Sequence, residues 1–275
     1  MKSTNHNAFC LDDSPQFRWI ELDEVDSTNT FLRGYRPAQL ATLTLVTAEH
    51  QTAGRGQGTN HWEAETGKNL LFSLLLQPAS LPVSQMFVLS EAIALSILEA
   101  VQQALTATPP HPLGTGFSTE AAAQEAVTVN WPNDVYVRDL KIAGILIENE
   151  LTGQHLGRSI IGCGVNVNQQ RFLSDAPNPV SLYQLLQHET ERRFVLEDIM
   201  AAFTRRYEDI LQGNYTSIHA EYLSALYRRT GFHPYRDADG TFLAEIADVE
   251  PSGHLVLRDE RGLLRRYAFK EVAFD

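Results

Sequence analysis

The stretch LKIAGILIE, Leu140–Glu148, decides the architecture. Strand alternation puts Lys141, Ala143, Ile145 and Ile147 on one face and Ile142, Gly144 and Leu146 on the other. Both faces are then apolar, which predicts a strand inside a sheet covered on both sides. A lysine entering such a strand must either snorkel out to water or meet an anion. Gly144 leaves room for something to approach the backbone closely.

Outward from this strand, Val127–Trp131, Val135–Val137 and Arg158–Asn168 also read as strands, with Arg138-Asp139 as a hairpin turn. Upstream lie Phe17–Val25, Ala41–Glu49 and the continuous apolar run Leu70–Gln77. Asp26-Ser27-Thr28-Asn29, followed by Phe31 and Leu32, has the pattern of a capped helix start. Ser84–Leu105 is the clearest helix, with Met86, Leu89, Ile93, Ile97, Val101 and Leu105 on one stripe. Further helices are expected over Ser181–Gln187, Leu196–Gln212 and Thr216–Arg229, the last stopping at Gly231. From Phe232 to Asp275 the pattern becomes short strands around Asp239-Gly240, Ser252-Gly253 and Arg261-Gly262 turns. The order predicts an α+β fold with a mixed sheet. The expected organisation is a head over 1–16, a main domain over 17–231 with a loop insertion at 106–125, and a small β module over 232–275.

Composition narrows the function classes. The chain has 275 residues, 43% apolar and 20% charged, as a globular protein should. Lys and Arg number 22 against 34 Asp and Glu, a net charge of -12, which argues against a non-specific nucleic-acid binder. Cys10 and Cys163 alone make neither a disulfide framework nor a zinc set. The polar head lacks the pattern of a secretion signal, and the run Leu70–Leu76 is too short to span a bilayer. A cytoplasmic location is the expectation.

Three clusters carry chemistry. In Gln51-Thr52-Ala53-Gly54-Arg55-Gly56-Gln57-Gly58, spaced glycines free the backbone to close around an anion, and Arg55 offers a planar charged fork. Trp62 follows with a stacking face. The plain alternative is a flexible surface loop. A Walker loop is excluded because Trp62 and Asn69 flank Gly67-Lys68 where glycine and Ser or Thr are required. A dinucleotide fingerprint is excluded by Thr59, and after Gly162-Cys163-Gly164 by Val167. In Asn130-Trp131-Pro132-Asn133-Asp134, the Asn-Asp pair suits a plain turn, a ligand hydrogen bond or Mg²⁺. Lys141 beside Gly144 is the third cluster.

In series, these motifs and Gly162-Cys163-Gly164-Val165-Asn166 resemble the biotin–protein ligase family. The resemblance covers about Phe17–Asn168. It implies a catalytic domain of the class II synthetase type, followed by an SH3-like module. It implies an enzyme that makes biotinyl-5'-adenylate from biotin and ATP with Mg²⁺. The biotin is then moved to a lysine of a biotin carboxyl carrier domain of acetyl-CoA carboxylase or a related carboxylase. By the same resemblance, Ser27, Thr28, Asn29 and Gln51 would bind biotin, with Gly54, Arg55, Gly56 and Gln57 closing over it. Lys141 and Arg55 would supply catalytic charge, and Gly144, Gly162 and Gly164 would wall the pocket. Arg55, Trp62, Asn133, Lys141 and Asn166 would meet the nucleotide, and Asp134 is a candidate Mg²⁺ ligand. The family often has a second arginine at Gln57 and a lysine at Asn130, so less positive charge is expected here. No helix-turn-helix is expected before Phe17, hence no DNA partner, and the chain is expected as a monomer or homodimer without a membrane. The rival readings are a lipoate–protein ligase and a non-catalytic biotin-binding module.

Overall fold

The computed structural model describes residues 17–37, 42–58, 60–78, 80–106 and 126–274. The expected head, Cys10 and nearly all of the insertion expected at 106–125 lie outside the described residues. The main sheet has seven strands: β1 (Phe17–Val25), β2 (Leu43–Gln51), β3 (Leu70–Leu76), β4 (Val127–Asn130), β5 (Asp134–Val137), β6 (Leu140–Thr152) and β7 (His155–Val165). Their spatial order is β1-β2-β3-β7-β6-β5-β4. Only β1 and β2 are parallel, joined through helix α1 (Thr28–Gly34); the remaining pairs are antiparallel. The sheet is therefore mixed, and the α+β expectation is met.

Helices α2 (Val88–Thr106), α4 (Arg192–Leu211) and α5 (Tyr215–Ser224) pack together, with α2 also against β4, β5 and β6. The α2 stripe read from the sequence is buried from Leu89 to Leu105. The short α3 (Leu182–Leu186) opens on a capping box, in which Ser181 Oγ accepts from Gln184 N–H. On the other face of the sheet, α1 closes a small apolar cluster of Leu32, Val46, Leu75 and Ile160. Every residue of β3 is buried because it lies between these two layers.

Two expectations are corrected. The last helix of this domain stops at Ser224, not near Gly231. The following residues leave the helix to satisfy the open edge of β4: Val129 N–H donates to Ala225 O, and Tyr227 N–H donates to Val129 O. Exposed strand edges demand backbone partners, and that demand overrides local helix propensity.

The second correction concerns Lys141. The β5–β6 ladder pairs Val135 with Ala143 but Tyr136 with Lys141, leaving an extra residue on β6. This bulge turns Lys141 from the face of Ala143 and Ile145 to the face of Gly144. A Cβ built on Gly144 would sit 3.3 Å from Lys141 Cε.

The C-terminal segment forms a second, antiparallel sheet: β8 (His233–Asp237), β9 (Gly240–Val249), β10 (Leu255–Asp259), β11 (Leu264–Tyr267) and β12 (Ala273–Phe274). Trp131, read from sequence as part of a ligand motif, is buried and ties this sheet to the first. Its Nε1 donates to Gly253 O at 3.0 Å, and its ring lies 5.8 Å from Phe269.

Candidate functional site

A cavity of about 660 Å³ opens on the α1 side of the main sheet. Its floor is where β6 and β7 pair, with Gly144 directly opposite Gly164. Alternation puts Gly162 and Gly164 on one face, so the floor lacks side chains there. Neighbours use the space. A Cβ on Gly164 would sit 2.3 Å from Trp62 Cε2, and one on Gly144 would sit 2.7 Å from Trp62 Cζ3. A Cβ on Gly162 would meet Asn29 Oδ1 at 2.2 Å. Trp62 thus rests on the glycine floor, and its Nε1 is buried with no hydrogen-bond partner.

The α1 end is built by a chain of polar contacts. Ser27 is the N-cap residue of α1, although its side chain makes no capping bond. Gln51 Oε1 instead accepts from Thr28 N–H at 2.8 Å and from Thr28 Oγ1 at 3.1 Å. Ser73 Oγ lies 2.7 Å from both Thr28 Oγ1 and Asn29 Oδ1. These buried groups satisfy one another, which holds the first turn of α1 against the sheet.

Charge gathers at the two ends of the floor strand. At one end Lys141 Nζ lies 2.5 Å from Asp134 Oδ2 and 5.9 Å from the Trp62 ring centroid. Burial pushes the Asp134 carboxyl above its ordinary value, with the Lys141 ammonium acting in the opposite direction. The backbone of Lys141 is also clamped, its N–H donating to Asn178 O and its carbonyl accepting from Val180 N–H. At the other end Arg55 pairs with Glu148 at 3.1 Å.

Most residues singled out from sequence line this one cavity: Ser27, Thr28, Asn29, Gln51, Arg55, Gly56, Gln57, Trp62, Asn133, Asp134, Lys141, Gly144, Gly162, Gly164 and Asn166. Gly54 does not. Its carbonyl accepts from Trp62 N–H, and the two backbones lie so close that a Cβ would sit 2.7 Å from Trp62 O, so this glycine serves loop packing. Asn133 Nδ2 donates to Ser90 Oγ, and Asn166 Nδ2 to Val180 O, leaving Asn166 Oδ1 buried without a partner.

Asp134 Oδ2 bonds Lys141 Nζ, and among the described residues no three His, Cys, Asp or Glu side chains are grouped as a complete protein-built metal site. A single carboxylate beside nucleotide phosphates is the usual protein share of a Mg²⁺ site.

Other wall residues escaped the sequence reading. Glu63 accepts from Leu173 N–H, Ser174 N–H and Gln169 Nε2, fastening the glycine loop to residues 172–179 of the wall. Burial alone would raise the Glu63 carboxyl, but these bonds hold it below its ordinary value. Phe269 and Lys270 of the C-terminal module also line the cavity, and Lys270 Nζ would lie 3.1 Å from a Cβ on Gly58 of the glycine loop. Their sequence neighbourhood, a turn between two short strands, carries no local signal of this placement.

Comparison with known proteins gives a consistent result. Residues 21–166, just over half of the chain, match the model of the biotin/lipoate A/B protein ligase family. The bifunctional ligase/repressor BirA of Bacillus subtilis is 29% identical over 231 residues, covering 82% of this chain. This chain spans 64% of the length of that relative. The biotin–(acetyl-CoA carboxylase) ligase of Paracoccus denitrificans is 28% identical over 254 residues, 88% of this chain and 94% of that one. Among solved structures, the Aquifex aeolicus biotin protein ligase in complex with biotin and ATP superposes with a TM-score of 0.72 at 22% identity. The superposition covers 94% of this chain and 98% of that one, so the two share a fold.

Proposed function

The chain belongs to the biotin/lipoate A/B protein ligase family, and on that premise we propose that it is an ATP-dependent biotin–protein ligase. The observation that carries this reading is the cavity floor: a strand pair bared by Gly144, Gly162 and Gly164, with Leu146 as its apolar side chain, under Trp62, with Lys141 at one end and Arg55 at the other. A flat bicyclic vitamin needs a smooth apolar floor, and its carboxylate and a nucleotide phosphate need fixed cations.

The chemical difficulty is that a carboxylate oxygen must attack the α-phosphorus of ATP, bringing two anions together. Lys141, held from three directions, is the positioned charge that offsets their repulsion. Attack forms the carboxyl–phosphate bond and releases pyrophosphate. The resulting mixed anhydride is open to water, and the loop carrying Arg55, Gly56 and Gln57, which lines the cavity, would close over it. In the second step a lysine amine of a biotin carboxyl carrier domain attacks the anhydride carbonyl and AMP leaves. Ser27, Thr28, Asn29 and Gln51 would bind the ring end of biotin; Trp62, Asn133 and Asn166 would meet the nucleotide. Lys270, which also lines the cavity, would add a further cation for the phosphates. Mg²⁺ would enter as the complex with ATP phosphates, with Asp134 as the candidate protein carboxylate beside it.

The test is biotin-dependent exchange of labelled pyrophosphate into ATP, with mass detection of biotinyl-adenylate and competition by lipoate. Exchange with biotin that lipoate does not suppress supports the reading. Binding of biotin without exchange overturns it in favour of a binding module, and exchange driven by lipoate overturns it in favour of lipoate chemistry.

A further inference from the structure

Glu148 occupies the cavity face of β6, two alternations beyond Gly144, where the glycine loop meets the sheet. Arg55 Nη1 donates to its two oxygens at 3.1 and 3.4 Å, and Asn29 Nδ2 donates to Oε2 at 3.0 Å. Arg33 of α1 is a third donor. One carboxylate therefore joins the loop, the first helix and the sheet. Arg55 itself sits between Gly54 and Gly56, whose backbones bond Trp62 and Asn60 of the same loop in a bridge opposite His61. Glycine neighbours leave such an arginine many conformations, so the ion pair limits where its fork can be.

The stoichiometry of the contact matters. A guanidinium has five N–H donors, and the bonds to Glu148 use one nitrogen of Arg55. The rest of the fork remains for a ligand, and Arg55 lines the cavity while anchored. Two guanidiniums share one carboxylate, so this end keeps a surplus positive charge. An arriving anion meets a held cation rather than a neutral pair.

We propose that Glu148 is a positioning residue, holding Arg55 over the cavity before ligand binds. That the anion is the biotin carboxylate or its adenylate rests on the ligase reading; the anchoring does not.

The experiment has two arms. In the first, trypsin cleaves the ligand-free full chain at Arg55–Gly56, with rates normalised to a free peptide of the loop sequence. Glu148→Gln should raise the rate about three- to fivefold, the range expected for a partly exposed ion pair. Salt from about 0.05 to about 1 M should produce the same rise in the unmodified chain, since the pair is screened. In the second arm, pyrophosphate exchange by Glu148→Gln should show KM for biotin raised about three- to fivefold with kcat within about twofold. The KM effect should vanish in an Arg55→Ala background. Equal cleavage rates, or a KM effect that persists without Arg55, overturns the proposal. If Glu148→Gln does not fold, the salt series decides, and a flat response overturns it. An unmodified chain without exchange defeats the ligase reading while the cleavage arm still judges Glu148.

Discussion

The two ends of the cavity floor hold their cations in different ways. Lys141 and Asp134 both stand on strands of one sheet, and Lys141 is further clamped by the 178–180 segment. Arg55 and Glu148 join a loop to a strand across 93 positions of sequence. The backbones that carry the first pair cannot separate without breaking the ladder; those of the second can part while the sheet stays intact. Rigid elements suit a charge that must be in place for bond formation, whereas a loop suits admission and closure. Equal charges at the two ends of one cavity floor thus need not do equal work.

The largest effect is expected from Lys141→Ala. The chain should stay folded while adenylate formation falls at least about 100-fold, the scale of losing one positioned charge donor. Pyrophosphate exchange measures it, and an unchanged rate removes Lys141 from the chemical step. Gly164→Val strikes the floor common to both ends. Its Cβ would collide with Trp62 Cε2 at 2.3 Å, so biotin binding measured by calorimetry should weaken about 30-fold, roughly the 2 kcal/mol expected of overpacking.

Asp134→Asn sharpens the contrast by leaving the Lys141 ammonium with a neutral partner. A fall of about tenfold in kcat/KM for exchange is expected, near 1.4 kcal/mol, with little change in cleavage of the Arg55 loop.

The smallest effect should come from His219, remote from both ends. His219 Nδ1 meets buried Glu91 at 2.7 Å, and Nε2 lies 3.4 Å from Asp248 of the second sheet. Burial alone would lower its pKa, but these two carboxylates raise it above the ordinary histidine value. A raised pKa contributes stability that is present below the unfolded value and lost as pH rises through the folded one. Thermal denaturation should therefore show His219→Gln less stable by about 1 kcal/mol near pH 6 and level with the parent chain at high pH. A difference growing with pH would contradict this assignment.

Much of this arrangement is legible in the chain itself. The apolar runs of β3 and β7 announce a sheet buried on both faces, and the stripe of α2 announces its covering helix. Spaced glycines around Arg55, and again at 162 and 164, mark where a backbone is exposed to a ligand. Alternation fails at Lys141 because a bulge adds a residue to β6. Helix periodicity fails after Ser224 because the edge of β4 captures the chain. Trp131, grouped by sequence with the ligand motif, packs against the C-terminal module instead.

Sequence alone thus determined the mixed α+β architecture, the glycine-bared floor and the identity of the two cations, because these depend on local periodicity and residue chemistry. Tertiary structure decided which carboxylate holds each cation, which face Lys141 occupies, and that Phe269 and Lys270 complete the wall. The physical reason is range. Alternation and glycine content act over a few residues, whereas an ion pair or a cavity wall exists only after distant segments have closed on one another.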